Sequence, residues 1–308
     1  MQAIQKAVNR RQALHSVAAL GLSGCTSLTS HPPGWIDAHS HIWTNNPDDL
    51  KKFPLAPDRT IEDLDPPHFT AEDLITLGKT QGVTRHVLIS HQRYHGFSNN
   101  YYIHAAKKHP GIFAIVGALD FTKADIHLRM KVNRSRHITG YRITPNGNFR
   151  WLEQPGLREM WRVGSAENIA MCPLIDPQYV VTLSPMCKSF PDTPVVIDHC
   201  ARIDAKHNEE LIALCNLAKH RNVHVKISAF YAFGTKEPPY IDQLPRINRL
   251  LEAYGPERLM WASDCPYQLD PPNTYAASIA LVRDRIAGLS SGDREHLLQK
   301  TAEKVYFT

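Results

Sequence analysis

Residues 35–43 read Trp35-Ile36-Asp37-Ala38-His39-Ser40-His41-Ile42-Trp43. The stretch is short and rich in apolar residues, and it follows the turn-forming Pro32-Pro33-Gly34. It reads as a parallel strand buried on both faces. Strand side chains alternate with period two, so His39 and His41 point to the same side and can meet one metal ion or one substrate. Working outward, similar runs recur at 84–90, 113–120, 138–144, 169–175, 194–200, 223–228 and 259–265. Between most of them lie segments of helical period, for example 71–81, 101–109, 208–219 and 241–254. Strand followed by helix, repeated eight times, predicts an α/β fold of the (β/α)8 TIM-barrel type, with one domain over residues 35–308. An open doubly wound sheet is the alternative, and it is disfavoured because no Gly-x-Gly-x-x-Gly follows the first strand.

Composition narrows the functional classes. With 308 residues, 43% hydrophobic and 21% charged, the chain is globular and long enough for one barrel. The net charge of +5 overstates its basicity, since Lys6, Arg10 and Arg11 stand before residue 26; without them 32 basic residues face 30 acidic ones. No basic stripe is present, which excludes nucleic acid as the expected partner. Six cysteines without a Cys-x-x-Cys pair argue against a disulfide framework. Seventeen histidines mean that only those at strand ends or in tight spacing carry weight.

The N-terminal stretch has its own signals. Arg10-Arg11 precedes a short apolar segment over 17–22 and resembles a twin-arginine export signal. Leu22-Ser23-Gly24-Cys25 resembles a bacterial lipobox. Residues 1–25 are therefore expected to direct export to the periplasm or to a lipid anchor on Cys25, with 26–34 as a linker. A cytoplasmic location follows if this leader is not a signal. No segment is long enough to span a bilayer, so a lipid anchor is the expected membrane contact.

Two further strand ends carry chemistry. Residues 197–200 read Ile-Asp-His-Cys and place His199, with Asp198 before it. Residues 259–266 read Leu-Met-Trp-Ala-Ser-Asp-Cys-Pro. Asp264 follows an apolar run, where an unpaired charge is costly, so a metal, a protonated His or a positioned water is its expected partner. The alternative, a helix N-cap, is weakened by Pro266. Barrel enzymes put their chemistry at the C-terminal ends of strands. The active site is thus expected from His39 and His41 at one end of the barrel and Asp264 at the other. Arg142, closing the fourth run, could clamp a carboxylate bidentately or form a surface salt bridge. His91, Arg93, Tyr94, His95 and Asn99 read as a polar pocket wall. Lys226 and Ser228 near the end of the seventh run contribute to the site, or Lys226 pairs a buried acid. The long Pro/Asp-rich loop over 44–73, with those at 145–156 and 229–240, is expected to build the substrate pocket.

These segments resemble the amidohydrolase-2 branch of the amidohydrolase superfamily. The matched pieces are Ile-Asp-Ala-His-Ser-His-Ile-Trp (36–43), Val-Val-Ile-Asp-His (195–199), Val-His-Val-Lys-Ile-Ser (223–228), Leu-Met-Trp-Ala-Ser-Asp-Cys-Pro (259–266) and Thr-Ala-Glu-Lys-Val-Tyr-Phe (301–307). Members of the branch include lactonases of sugar lactones and pyrone dicarboxylates, and a decarboxylase. The resemblance implies that His39, His41 and Asp264 handle metal or water, and that His199 stands beside the reacting carbonyl. Arg142 matches the family's Gly-x-Arg. One departure matters: metal-binding members often carry a His at the end of strand five, where this chain has Ile169-Ala170-Met171-Cys172-Pro173. Cys172 is the local substitute ligand, since thiolates bind zinc. The cofactor expectation is one divalent ion, zinc by preference, or none. The expected function is hydrolysis of a lactone, a small-molecule carbonyl substrate, with Asp264 activating water. A metal-dependent non-oxidative decarboxylase and an exported non-catalytic binding barrel stay open as alternatives.

Overall fold

The computed structural model describes residues 34–308. The expected export leader, Cys25 and all of the linker but Gly34 lie outside the described residues. Eight parallel strands pair in chain order: β1 (Trp35–Ser40), β2 (Val83–Ile89), β3 (Phe113–Gly117), β4 (Ile138–Ile143), β5 (Ala170–Pro173), β6 (Val195–Ile197), β7 (Val223–Ile227) and β8 (Leu259–Trp261). The ring closes just beyond the ends of β1 and β8. Ser40 bridges Cys265, His41 N donates to Cys265 O at 2.8 Å, and Asp264 N donates to His39 O at 2.9 Å. The (β/α)8 barrel expected from the eight runs is the fold observed.

The principal helices are α1 (Ala71–Lys79), α2 (Asn100–Lys108), α3 (Ile126–Arg134), α4 (Pro155–Glu167), α5 (Leu183–Ser189), α6 (Asn208–Asn216) and α7 (Leu244–Tyr254), then α8 (Tyr275–Ala280) and α9 (Thr301–Tyr306) after β8. Local sequence explains their limits. Thr70 and Asp73 form a reciprocal capping box that starts α1. In α7, Ile247, Leu250 and Tyr254 are buried at helical spacing and fix the face turned to the sheet. Gly164 lets α4 lie close to the chain leading into β5, because a Cβ there would stand 2.7 Å from the Ile169 carbonyl oxygen. Among the described residues no helix is long and apolar enough to cross a membrane, and the described cysteines are all free.

Two apolar layers hold the barrel. The larger lies between sheet and helices. The smaller fills the barrel interior with Ile36, Ala38, Val87, Ile89, Val116 and Met260, and α9 adds Ala302, Val305 and Tyr306 to it. Arg85, near the start of β2, pairs with Glu303 of α9 at 2.8 Å. The last helix therefore plugs the barrel where its strands begin, leaving the opposite mouth for chemistry.

Candidate active site

His39, His41, His199 and Asp264 converge at the C-terminal mouth. The expectation that the His pair and Asp264 occupy opposite ends is corrected: in a closed barrel the first and last strands are neighbours. Asp264 Oδ1 stands 3.4 Å from His39 Nε2 and 3.3 Å from His41 Nε2, and Oδ2 lies 3.6 Å from His199 Nε2. Asp264 is not the N-cap of the following helical turn, which begins after Pro266 and has no side-chain cap.

Backbone irregularity aims these groups. A register shift between Asp37 and Ser40 breaks strict alternation in β1. As a result, Ala38 joins the interior cluster while His39 also reaches the interior, where it meets Asp198 and Lys226. His199 opens a left-handed turn in which residues 199–202 have φ of 52°, 49°, 55° and 56°. L-residues adopt such angles only when the surroundings impose them. Asp264 also has positive φ, at 66°.

Each imidazole is oriented through its second nitrogen. His41 Nδ1 bonds the Ile89 carbonyl at 2.9 Å, which fixes the ring and turns Nε2 toward Asp264. His199 Nδ1 meets Ser228 Oγ at 2.8 Å. His39 Nδ1 faces Asp198 Oδ1 at 3.3 Å, while Arg142 Nη2 donates to its Nε2 at 2.7 Å. Burial pushes the His39 and His199 imidazoles down. Burial alone would push the Asp264 carboxyl up, but the facing imidazoles outweigh it and hold it below the ordinary carboxylate range.

Beneath these groups lies a fully buried ion pair, Lys226 Nζ to Asp198 Oδ1 at 3.0 Å. Of the two readings of Lys226, partner of a buried acid is the one observed. Arg142 joins the pair at 3.4 Å from Asp198 Oδ2, so it is no surface salt bridge. Removing one member of such a pair costs roughly 3–5 kcal/mol, because the other charge is stranded.

The remaining expected residues divide. His91 sits in the mouth: its ring centroid is 5.0 Å from His41, its Nε2 meets Tyr267 Oη at 2.8 Å, and burial lowers it to about 2. Tyr94 stacks on His91, with centroids 4.4 Å apart. Asn99 is corrected as a wall residue: its amide donates to Ala118 O and accepts from Ala118 N, both at 2.8 Å, tying the start of α2 to the end of β3. Cys172 is corrected as a ligand. It lies in the barrel interior, 3.6 Å from Tyr306 Oη, and stands apart from His39, His41 and Asp264, the group whose donor atoms can share one ion. Sequence reading missed Tyr231, whose hydroxyl donates to Asp264 Oδ2 at 2.7 Å. It also missed Tyr267 and Asp37. The available signal was position: both tyrosines fall in the first few residues after a strand run.

His39, His41 and Asp264 fit a metal ion. Their donor atoms lie within 4.8 Å of one another. Ligands held at zinc distances in a tetrahedron stand about 3.3–3.4 Å apart, which matches the spacings of Asp264 Oδ1 from the two Nε2 atoms. The His39 lone pair is at present engaged by Arg142, so an ion would share or displace that donor.

The chain is similar to known proteins over most of its length. The family model described as Amidohydrolase matches residues 36–308. The L-fucono-1,5-lactonase of Burkholderia ambifaria is 26% identical over 241 residues, covering 75% of this chain and 80% of that protein. The 4-sulfomuconolactone hydrolase of Rhizobium radiobacter is 25% identical over 244 residues, 77% of each. A solved structure, a probable 2-pyrone-4,6-dicarboxylic acid hydrolase from Acinetobacter baumannii, superposes with a TM-score of 0.74 at 21% identity and covers 90% of this chain and 100% of that one, which shows a shared fold. The family match spans the barrel, from the first strand and its two histidines at 39 and 41 to the helix that plugs it, and on that extent the chain belongs to the amidohydrolase family.

Proposed function

We propose that this protein is a hydrolase that opens a lactone, with Asp264 receiving the proton of the attacking water. One observation carries the reading: the buried Asp264 carboxyl is faced at the barrel mouth by His39, His41 and His199. The similarity to two proteins named as lactone hydrolases supports lactones as the substrate class.

Water held between Asp264 and the His39–His41 pair adds through its oxygen to the acyl carbon, and its proton passes to Asp264. His199 stands beside the carbonyl oxygen as negative charge grows there, its ring fixed by Ser228. The ring C–O bond then breaks, and the ring oxygen takes up the proton held by Asp264 to become the hydroxyl of the open acid, which returns Asp264 to its carboxylate. Arg142, His91 and Tyr94 contact the substrate, Arg142 with only part of its guanidinium engaged by His39 and Asp198. A divalent ion held by His39, His41 and Asp264 would supply Lewis acidity to the carbonyl, and the nitrogen-rich donor set favours zinc. Residues 1–25 direct export, with Cys25 as the lipid attachment point.

Asp264→Asn is the direct test. It should lower kcat on a lactone by about 10²–10⁴-fold, the usual range for losing a general base, and full activity in this variant would sink the reading. Zinc and manganese quantification on the purified chain then decides whether the ion belongs to the resting enzyme.

A further inference from the structure

A cavity of ≈ 620 Å³ adjoins the catalytic cluster. Residues between 65 and 73, from the loop after β1 and the first turn of α1, and residues between 266 and 271, after β8, contribute its lining. Two tyrosines belong to both places. Tyr231 lines the cavity and donates to Asp264; Tyr267 lines it and bonds His91. A substituent on a ring held at Asp264 therefore has this cavity beside it, and the volume suits a small molecule.

The chemistry of the cavity is one-sided. Asp65, Asp73 and Asp270 line it, with no lysine or arginine, and His68 is the single imidazole. Asp73 also caps α1 through Thr70. The Asp65 and Asp270 carboxylates have no cationic partner among the described residues. Arg93 packs over the Tyr94 ring and is not part of the lining. In the catalytic cluster itself, Arg142 and Lys226 both pair with Asp198, and the second carboxylate, Asp264, brings the fixed charges to balance. No surplus positive charge there offsets the acidic cavity.

We infer that the cavity selects neutral, hydroxyl-rich lactones and turns away lactones that carry a carboxylate or sulfonate; this rests on the lactonase reading. Ionised carboxylates only accept hydrogen bonds, and hydroxyl groups supply the donors they require. Phe69, Tyr231 and Tyr267 add flat apolar surface for the C–H faces of a polyol ring. An anionic substituent there would meet three like charges and no lysine or arginine, with His68 as the one imidazole, and the repulsion penalises it.

The test uses the full chain with glucono-1,5-lactone and muconolactone, a neutral polyol lactone and a carboxylated one. The wild type should prefer the neutral substrate by about tenfold or more in kcat/KM, a margin that narrows as salt shortens the screening length. An Asp65→Lys, Asp270→Lys double variant should shift that ratio by about tenfold toward muconolactone, chiefly through its KM. Both positions are exposed, so the melting temperature should stay near wild type; the Asp→Asn pair serves if the lysine variant melts early. Preference of the wild type for muconolactone, or a ratio indifferent to both variants, overturns the inference and leaves the lactonase reading standing. If neither lactone is opened, the lactonase reading fails. Calorimetric binding of the corresponding neutral and carboxylated lactams then decides the charge inference: a neutral preference upholds it, and its absence overturns it.

Discussion

Tyr231 donates to the same Asp264 oxygen that His199 approaches, so a single carboxylate is steered by a phenol on one oxygen and by His39 and His41 on the other. A hydrogen bond to a charged group contributes roughly 1.5–3 kcal/mol. Tyr231→Phe keeps the ring and removes only that bond. It should lower kcat by roughly 10–100-fold, as that energy implies, with KM moving much less; steady-state kinetics on an opened lactone checks this, and an unchanged kcat would show that the hydroxyl does not steer Asp264. Cys172 teaches the opposite lesson at the same scale. A thiol near a strand end attracts attention in a sequence, but burial against Tyr306 leaves it a small apolar side chain.

At the scale of elements, the seam between β1 and β8 depends on Asp37. Its carboxylate accepts from Ser263 N at 2.8 Å and from Ser263 Oγ at 2.5 Å, and also from Ser40 Oγ, His39 N and Tyr275 Oη. The paired ladder between these strands is short, so this one side chain bridges what the backbone leaves open. Asp37→Ala strands several buried donors and should destabilise the fold by about 3–5 kcal/mol, seen as a lower urea midpoint. A midpoint within error of wild type would mean that the seam holds without it. The strands were legible because a strand buried on both faces is largely apolar, as β3, β5, β6 and β8 are throughout, while β1, β2 and β7 keep apolar runs around their polar residues. The His39–His41–Asp264 grouping was legible because period two and strand-end position follow from residue type alone. The register shift at Asp37–Ser40 and the left-handed turn at 199–202 were not, because neither uses glycine and both are imposed by neighbours distant in sequence. Asn99 looked like a pocket residue for the same reason: only the fold brings Ala118 to it.

For the whole molecule, buried neutral imidazoles set the acid limit of stability. His86 is 1% exposed, neither ring nitrogen has a hydrogen-bond partner, and burial lowers it to about 3. Burial likewise lowers His95 and His224 to about 4. An unfolded chain holds each near 6.5 and so binds protons there that the folded chain refuses. Stability from these groups is complete above pH 6.5 and falls as pH drops toward 4, by roughly 1.4 kcal/mol per pH unit for each. His86→Leu should flatten the pH dependence of the urea midpoint across that window, whereas an equally steep curve would place the acid sensitivity elsewhere. The barrel's closure has a consequence for biosynthesis. β1 and the residue just after it supply two site histidines, β8 leads into Asp264, and Tyr306 of α9 packs beneath Lys226, 5.4 Å from its ammonium. Every strand thus precedes residue 262, yet the mouth is not complete until residue 306 has emerged from the ribosome.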